Sequence, residues 1–159
     1  MLFLQLCLYC LLFFLLVKAD GRNCLYFYPK EYIDEAAKRG LADPAATMAK
    51  GKRFMIPFCI FMLLALLAIL VFWNRVTDFR TAYGQSVLLL VVMNWFDGLV
   101  IDGLWVRRSK IWRIAGMEGI PYAKPWKTIL VRRSLGTVVY LVLALAIAGI
   151  VVLLGRIFF

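Results

Sequence analysis

Histidine is absent from the 159 residues. With it goes the side chain that most often acts as a base near neutral pH, binds metals or ligates haem. Proton chemistry here must rest on Asp, Glu, Tyr, Cys or Lys. Acids are scarce too: nine Asp and Glu stand against nineteen Lys and Arg, for a net charge of +10. No stretch alternates apolar and polar residues over a usable length, which excludes a transmembrane barrel built from many such segments. P-loop, Gly-x-Ser-x-Gly and His-Glu-x-x-His signatures are missing, as are internal repeats and low-complexity tracts. What remains is apolar: 64% of the residues are hydrophobic and the mean hydropathy is +0.85, whereas a soluble domain is about 45–50% apolar. Such a chain cannot cover a globule with polar surface. Bilayer is its natural solvent.

Four apolar runs carry this excess, at 1–17, 54–73, 87–106 and 135–154. The last three match the ~20 residues needed to cross a ~30 Å hydrocarbon core, and the first sits at the short limit. The expectation is an all-α, polytopic membrane protein with four transmembrane helices in a single membrane domain, 1–159. Lys and Arg then decide orientation. Segment 18–53 holds eight of them, 74–86 two, 107–134 eight, and only Arg156 follows the last run. Cations favour the cytoplasmic side, so 18–53 and 107–134 are placed there and both termini outside, in a multi-pass protein of the cell membrane. A cleaved signal peptide over 1–17 would export all sixteen charges, and a basic n-region is missing. The basic blocks border apolar runs, where anionic headgroups explain them better than nucleic acid does. Trp105, Trp112, Tyr122 and Trp126 among them read as headgroup-level anchors.

Local signals predict a short amphipathic helical hairpin on the cytoplasmic membrane face between spans 1 and 2. Pro29 suits a helix start and Gly40 a stop. Between them Lys30–Asp34, Asp34–Lys38 and Glu35–Arg39 have ion-pair spacing, and Tyr32, Ile33, Ala36 and Ala37 form the apolar stripe. Asp43-Pro44 then caps a helix that runs through Lys50–Arg53 into the second span. Later, Pro125 opens the helix of the last span, where Gly136, Ala144, Ala148 and Gly149 permit close approach, within the chain or in a homo-oligomer.

Chemistry concentrates in the third span, Asn94-Trp95-Phe96-Asp97-Gly98 and then Ile101-Asp102-Gly103. At about 100° per residue the two aspartates share one broad face. Asp97 lies about 14 Å from the charged end, near mid-membrane, and Asp102 about 6 Å in. The apolar runs contain no Lys or Arg, so Asp97 is expected either to be protonated or to meet water or a bound cation. By depth Asn94 aligns with Gln5, and Asp102 with Tyr140 and Cys59. Two roles stay open: a proton or cation site, or interhelical glue made by Asp97, Asn94 and Gln5. A third is an enzyme acting on a lipid headgroup, with Asp97, Asp102 and Glu118 as candidate acid–base residues and Arg107, Arg108, Arg132 and Arg133 holding phosphate. Cys7 and Cys10 form a Cys-x-x-Cys pair in the first span, which makes thiol redox chemistry a minor alternative. The dispersed thiols predict no metal site, and no cofactor is expected.

The Asn94-x-Phe96-Asp97-x4-Asp102 helix and the turn Gly116-Met117-Glu118-Gly119 resemble a family of small, uncharacterised bacterial four-helix integral membrane proteins. The resemblance covers the last three spans. It implies a bacterial inner-membrane location and one site shared by Asp97, Asp102 and Glu118, and it supplies no activity. The function expected is therefore a non-enzymatic transport or ion-coupling component, or an assembly partner of another membrane protein, with a buried acidic centre on span 3.

Overall fold

The computed structural model describes residues 21–159. A 3₁₀ turn at Gly21–Phe27 leads into α1 (Lys30–Lys38). Then come α2 (Pro44–Trp73), α3 (Phe79–Arg108) and α4 (Trp126–Phe158), with a second 3₁₀ turn at Lys110–Trp112 before α4. Among the described residues all regular structure is helical. Helices α2, α3 and α4, of 30, 30 and 33 residues, are long and apolar enough to cross a membrane. The expected first span at 1–17, with Gln5, Cys7 and Cys10, lies outside the described residues.

Helix ends follow local chemistry. Gly40 has φ +70, and the amides of Gly40 and Leu41 donate to the Ala37 and Ala36 carbonyls, the two bonds of a Schellman stop. The Asp43 carboxylate accepts from the Ala45 amide at 2.9 Å, with Pro44 as the first helical residue. Asp78 caps α3 in the same way through the Thr81 amide. Pro125 precedes α4, as expected. Both α3 and α4 begin well before their apolar runs, so polar residues enter the helices.

Two stretches widen from α to π winding, Ile69–Trp73 and Asp97–Trp105. The first ends α2: Asn74 donates its amide to the Ile69 carbonyl, and its side chain donates to Gln85 at 2.6 Å. The second carries the aspartates.

Packing divides into two cores. One lies toward the α2–α3 connection and joins Leu66, Leu70 and Val71 to Leu89, Ile147 and Val151. Ala148 of α4 belongs to it, and both Ala148 and Ala144 are fully buried, whereas Gly149 faces open space. The other core gathers Tyr32, Ile33 and Ala36 of α1 with Ile101, Trp112 and Met117. The α1 stripe therefore packs on the 110–117 segment of the chain itself. Glu35 pairs with Arg39 at 3.2 Å, and Lys38 reaches Glu35 rather than Asp34. Arg39 also donates to the Gly116 carbonyl at 2.7 Å.

Trp112 corrects one expectation. It is 2% exposed, a core residue instead of a headgroup anchor. The Tyr28 hydroxyl donates to its carbonyl, and Trp105 meets its ring edge-on at 5.5 Å. The large indole finds more apolar contact under α1 than at an interface.

The two ends of the bundle differ in polarity. Phe72 packs on Phe158, and Arg75 lies over the Phe159 ring, at the end that holds few cations. There a Cβ at Gly155 would stand 2.7 Å from the Val76 carbonyl oxygen, a backbone atom that cannot swing aside. Gly155→Ala is accordingly expected to cost about 2 kcal/mol, in the range for overpacking. Thermal unfolding in detergent, compared with Gly149→Ala as an open-space control, measures it.

Candidate functional site

Asp97-Gly98 and Asp102-Gly103 repeat at a spacing of five. In an α-helix residues five apart point about 140° from each other at about 100° per residue. Over Asp97–Trp105 the backbone instead closes i→i+5 bonds, as where Val106 donates to Ile101. Such bonding stacks residues five apart one turn above the other. The two carboxylates therefore form one row and the two glycines the next.

The glycine row is where α4 approaches. A Cβ at Gly98 would lie 2.6 Å from the Arg133 stem, and one at Gly103 would strike the Trp126 ring. Trp126 and Arg133 are seven residues apart, about two turns, and so share a face of α4. Gly136, one turn beyond Arg133, gives space to Asn94. Trp126 and Arg133 of α4 thus each have a glycine gap opposite them on α3, and Asn94 of α3 has one on α4.

Arg133 holds the two aspartates together. Its Nη2 is 2.5 Å from Asp97 Oδ2 and 2.9 Å from Asp102 Oδ2. Lys124 also binds Asp102, with Nζ 3.2 Å from Oδ2 and 3.3 Å from Oδ1. Asn94, buried, accepts from Arg133 Nη1 at 3.4 Å and donates to the Arg133 carbonyl at 2.8 Å. Thr137 Oγ1 accepts from Asn94 and from the Trp95 indole, and donates to the Arg133 carbonyl. These bonds fix the backbone from which the guanidinium projects. The Tyr140 hydroxyl lies in the electrostatic field of Arg133, Asp97 and Cys59.

The expectation that no cation lies within a span to neutralise Asp97 is overturned. The apolar run starts at residue 135, but the helix starts at Trp126, so Arg133 sits about 10 Å along its axis. The long aliphatic stem crosses to α3 while the charged head keeps polar company.

Beside this quartet lies a cavity of about 100 Å3, roomy enough for several waters. Asp97, Asp102, Lys124 and Arg133 form its polar side, and Phe54 and Phe58 of α2 stand among its apolar walls. Two carboxylates and two cations make it formally neutral.

Other candidates fall elsewhere. Glu118 does not join the aspartates. Its carboxylate accepts from the Gly116 amide at 3.1 Å, in a turn where Gly116 and Gly119 have φ +86 and +84. Its own amide and that of Gly116, with Arg39 nearby, hold its carboxyl below the ordinary glutamate range. Arg107 donates to the Lys124 carbonyl and stacks on Trp126 at 4.9 Å, and its own carbonyl accepts from Tyr122. Arg108 and Arg132 are exposed. Of the four arginines expected to hold phosphate, Arg107 and Arg133 are thus already engaged within the protein. Among the described residues no three metal-ligating side chains converge; Cys24 is buried and Cys59 exposed.

No protein family, curated protein or solved structure matches this chain. The family resemblance thus rests on the motif residues alone.

Lys124 and Thr137 carry no local sequence signal for their place in the site, whereas the five-residue recurrence of Asp-Gly and the heptad spacing of Trp126 and Arg133 do mark the two gap-making glycines.

Removing the guanidinium leaves two carboxylates without their common partner. Arg133→Met is expected to destabilise the protein by about 3 kcal/mol, as when one side of a largely buried pair is lost. Adding Asp97→Asn and Asp102→Asn should recover part of the loss; thermal unfolding of the single and triple variants checks both. Glu118 predicts a pH effect of definite sign. A carboxyl whose folded pKa is lowered stabilises fully above its ordinary value and loses that contribution as pH falls through the lowered one. The difference in unfolding midpoint between wild type and Glu118→Gln should be constant at neutral pH and vanish on acidification.

Proposed function

We propose that this chain is a non-enzymatic, multi-pass membrane protein that couples the binding of a proton or small cation to a rearrangement of α3 against α4. The carrying observation is the shared guanidinium: one nitrogen of Arg133 serves two carboxylates beside a cavity of about 100 Å3. A cation that enters and neutralises Asp97 takes over one half of that bridge. Arg133 is then left with Asp102, where it competes with Lys124. A ligand shifts a two-state element only by its difference in affinity for the two states, and displacing an arginine from a carboxylate supplies such a difference.

Charge distribution supports the orientation. The end carrying 107–134 and the start of α2 is the cationic one, and on the positive-inside rule it faces the cytoplasm. The run at 1–17 then serves as the fourth span, with both termini outside. On this reading the cavity opens from the cytoplasmic half of the bilayer. An enzyme working on a lipid headgroup has less support. General acid–base work needs a carboxyl oriented toward substrate, whereas Asp102 faces Lys124 and Arg133, and Glu118 stands apart with Arg39.

Liposomes holding the purified full-length chain test the proposal. Under an imposed membrane potential, proton or sodium uptake should exceed that of empty liposomes. Asp97→Asn and Arg133→Gln should abolish the excess, while Arg39→Gln should preserve it. Folded wild-type protein that moves neither ion sinks the coupling role.

A further inference from the structure

Next to the ion-pair cavity runs a larger groove of about 880 Å3, bounded by the 3₁₀ turn and α1, the first turns of α2 and the first turns of α4. Phe27, Tyr28, Met55 and Lys124 line both spaces, so the two adjoin. The groove walls combine two chemistries. Tyr26, Ile33, Met48 and Met55 are apolar or aromatic, whereas Lys30, Lys52 and Arg132 add cations to that of Lys124. Glu31 and Asp34 are the acids on its rim, so cations outnumber acids.

The position of these cations matters more than their number. Lys52 is in the last turn of α2 before the apolar run that starts at Phe54. Arg132 is in the last turn of α4 before the run that starts at Leu135. Two helices therefore present a cation at the same boundary, where the polar part of each meets its membrane-crossing part. In a bilayer that boundary is the phosphate level. Lys124 is taken by Asp102, but no ion pair engages Lys30, Lys52 or Arg132 among the described residues. Below them the α2 surface continues apolar and exposed through Ile56, Ile60 and Leu64.

We propose that the groove seats one anionic phospholipid, its phosphate held by Lys30, Lys52 and Arg132 and its acyl chains lying along the outer face of α2. Charge complementarity selects an anionic headgroup, and the apolar face beneath selects a lipid over free phosphate. Met48 and Met55, flexible and polarisable, adapt to the glycerol and upper acyl carbons. The proposal does not depend on ion coupling, since none of its three phosphate-holding residues belongs to the Asp97–Arg133–Asp102 bridge.

Native mass spectrometry of the full chain, titrated with dioleoylphosphatidylglycerol or dioleoylphosphatidylcholine, tests it. Phosphatidylglycerol should be retained roughly thirty- to a hundredfold better, the scale expected from two or three cations at about 1 kcal/mol each near an anionic surface. Lys52→Gln with Arg132→Gln should reduce retention to the choline-lipid level, and Lys52→Arg with Arg132→Lys should keep it. Helical circular dichroism confirms that each variant folds. If the neutral pair fails to fold, the wild-type preference and the charge-keeping pair still decide. Equal retention of the two lipids, or an unchanged preference in the neutral pair, overturns the proposal. So does displacement of the lipid by excess inorganic phosphate, which would identify a free-anion site.

Discussion

One guanidinium organises the membrane-crossing part of this protein. A charge carried into an apolar bundle is costly unless it is paired and hydrogen-bonded, and Arg133 meets that condition only because two aspartates of α3 converge on it. Their convergence in turn requires the wide winding of Asp97–Trp105. The stem of Arg133 needs the gap at Gly98, and Trp126 needs the gap at Gly103. Backbone winding, glycine placement and charge pairing are therefore one constraint seen from three sides. None of them makes sense without the others.

The rest of the fold divides according to its distance from that bridge. Away from it, α2, α3 and α4 interlock through small and branched side chains, with the fully buried Ala82 and Ala148 among them. Lipid offers no hydrophobic incentive for helices to associate, so close packing carries that half. Toward the cationic end, water is available and an ordinary apolar core forms around Trp112. Arg39 ties α1 to the glycine turn at Gly116 over that core. Lys124 joins the two regimes, since it belongs to the loop and binds an aspartate of the helix.

Much of the helical frame was legible in the residues. Asp43-Pro44, the Gly40 stop and Pro125 act through local geometry, and local geometry is what a sequence records most directly. The three described spans followed from run length. Arg133 was misplaced because apolar runs mark where a helix meets lipid, whereas α4 begins nine residues earlier. Asp97 and Asp102 were placed on a broad face because a fixed 100° step does not hold where the winding opens. Local pattern makes Trp112 an interfacial anchor, because its partner Tyr28 lies 84 residues away, beyond the reach of any such pattern. Glu118 was grouped with the aspartates on motif resemblance, and the glycine turn directs it to backbone amides instead.

The five-residue bonding of Asp97–Trp105 has a mechanical corollary. A helix that reverted there to tighter winding would turn everything downstream about its own axis, by about 100° for each residue gained or lost. Arg107 lies two residues after the wide stretch, and it grips the Lys124 carbonyl and the Trp126 face. The aspartate bridge within the wide stretch and the Arg107 contacts just beyond it therefore fix its winding from two points, and α4 is tied to both.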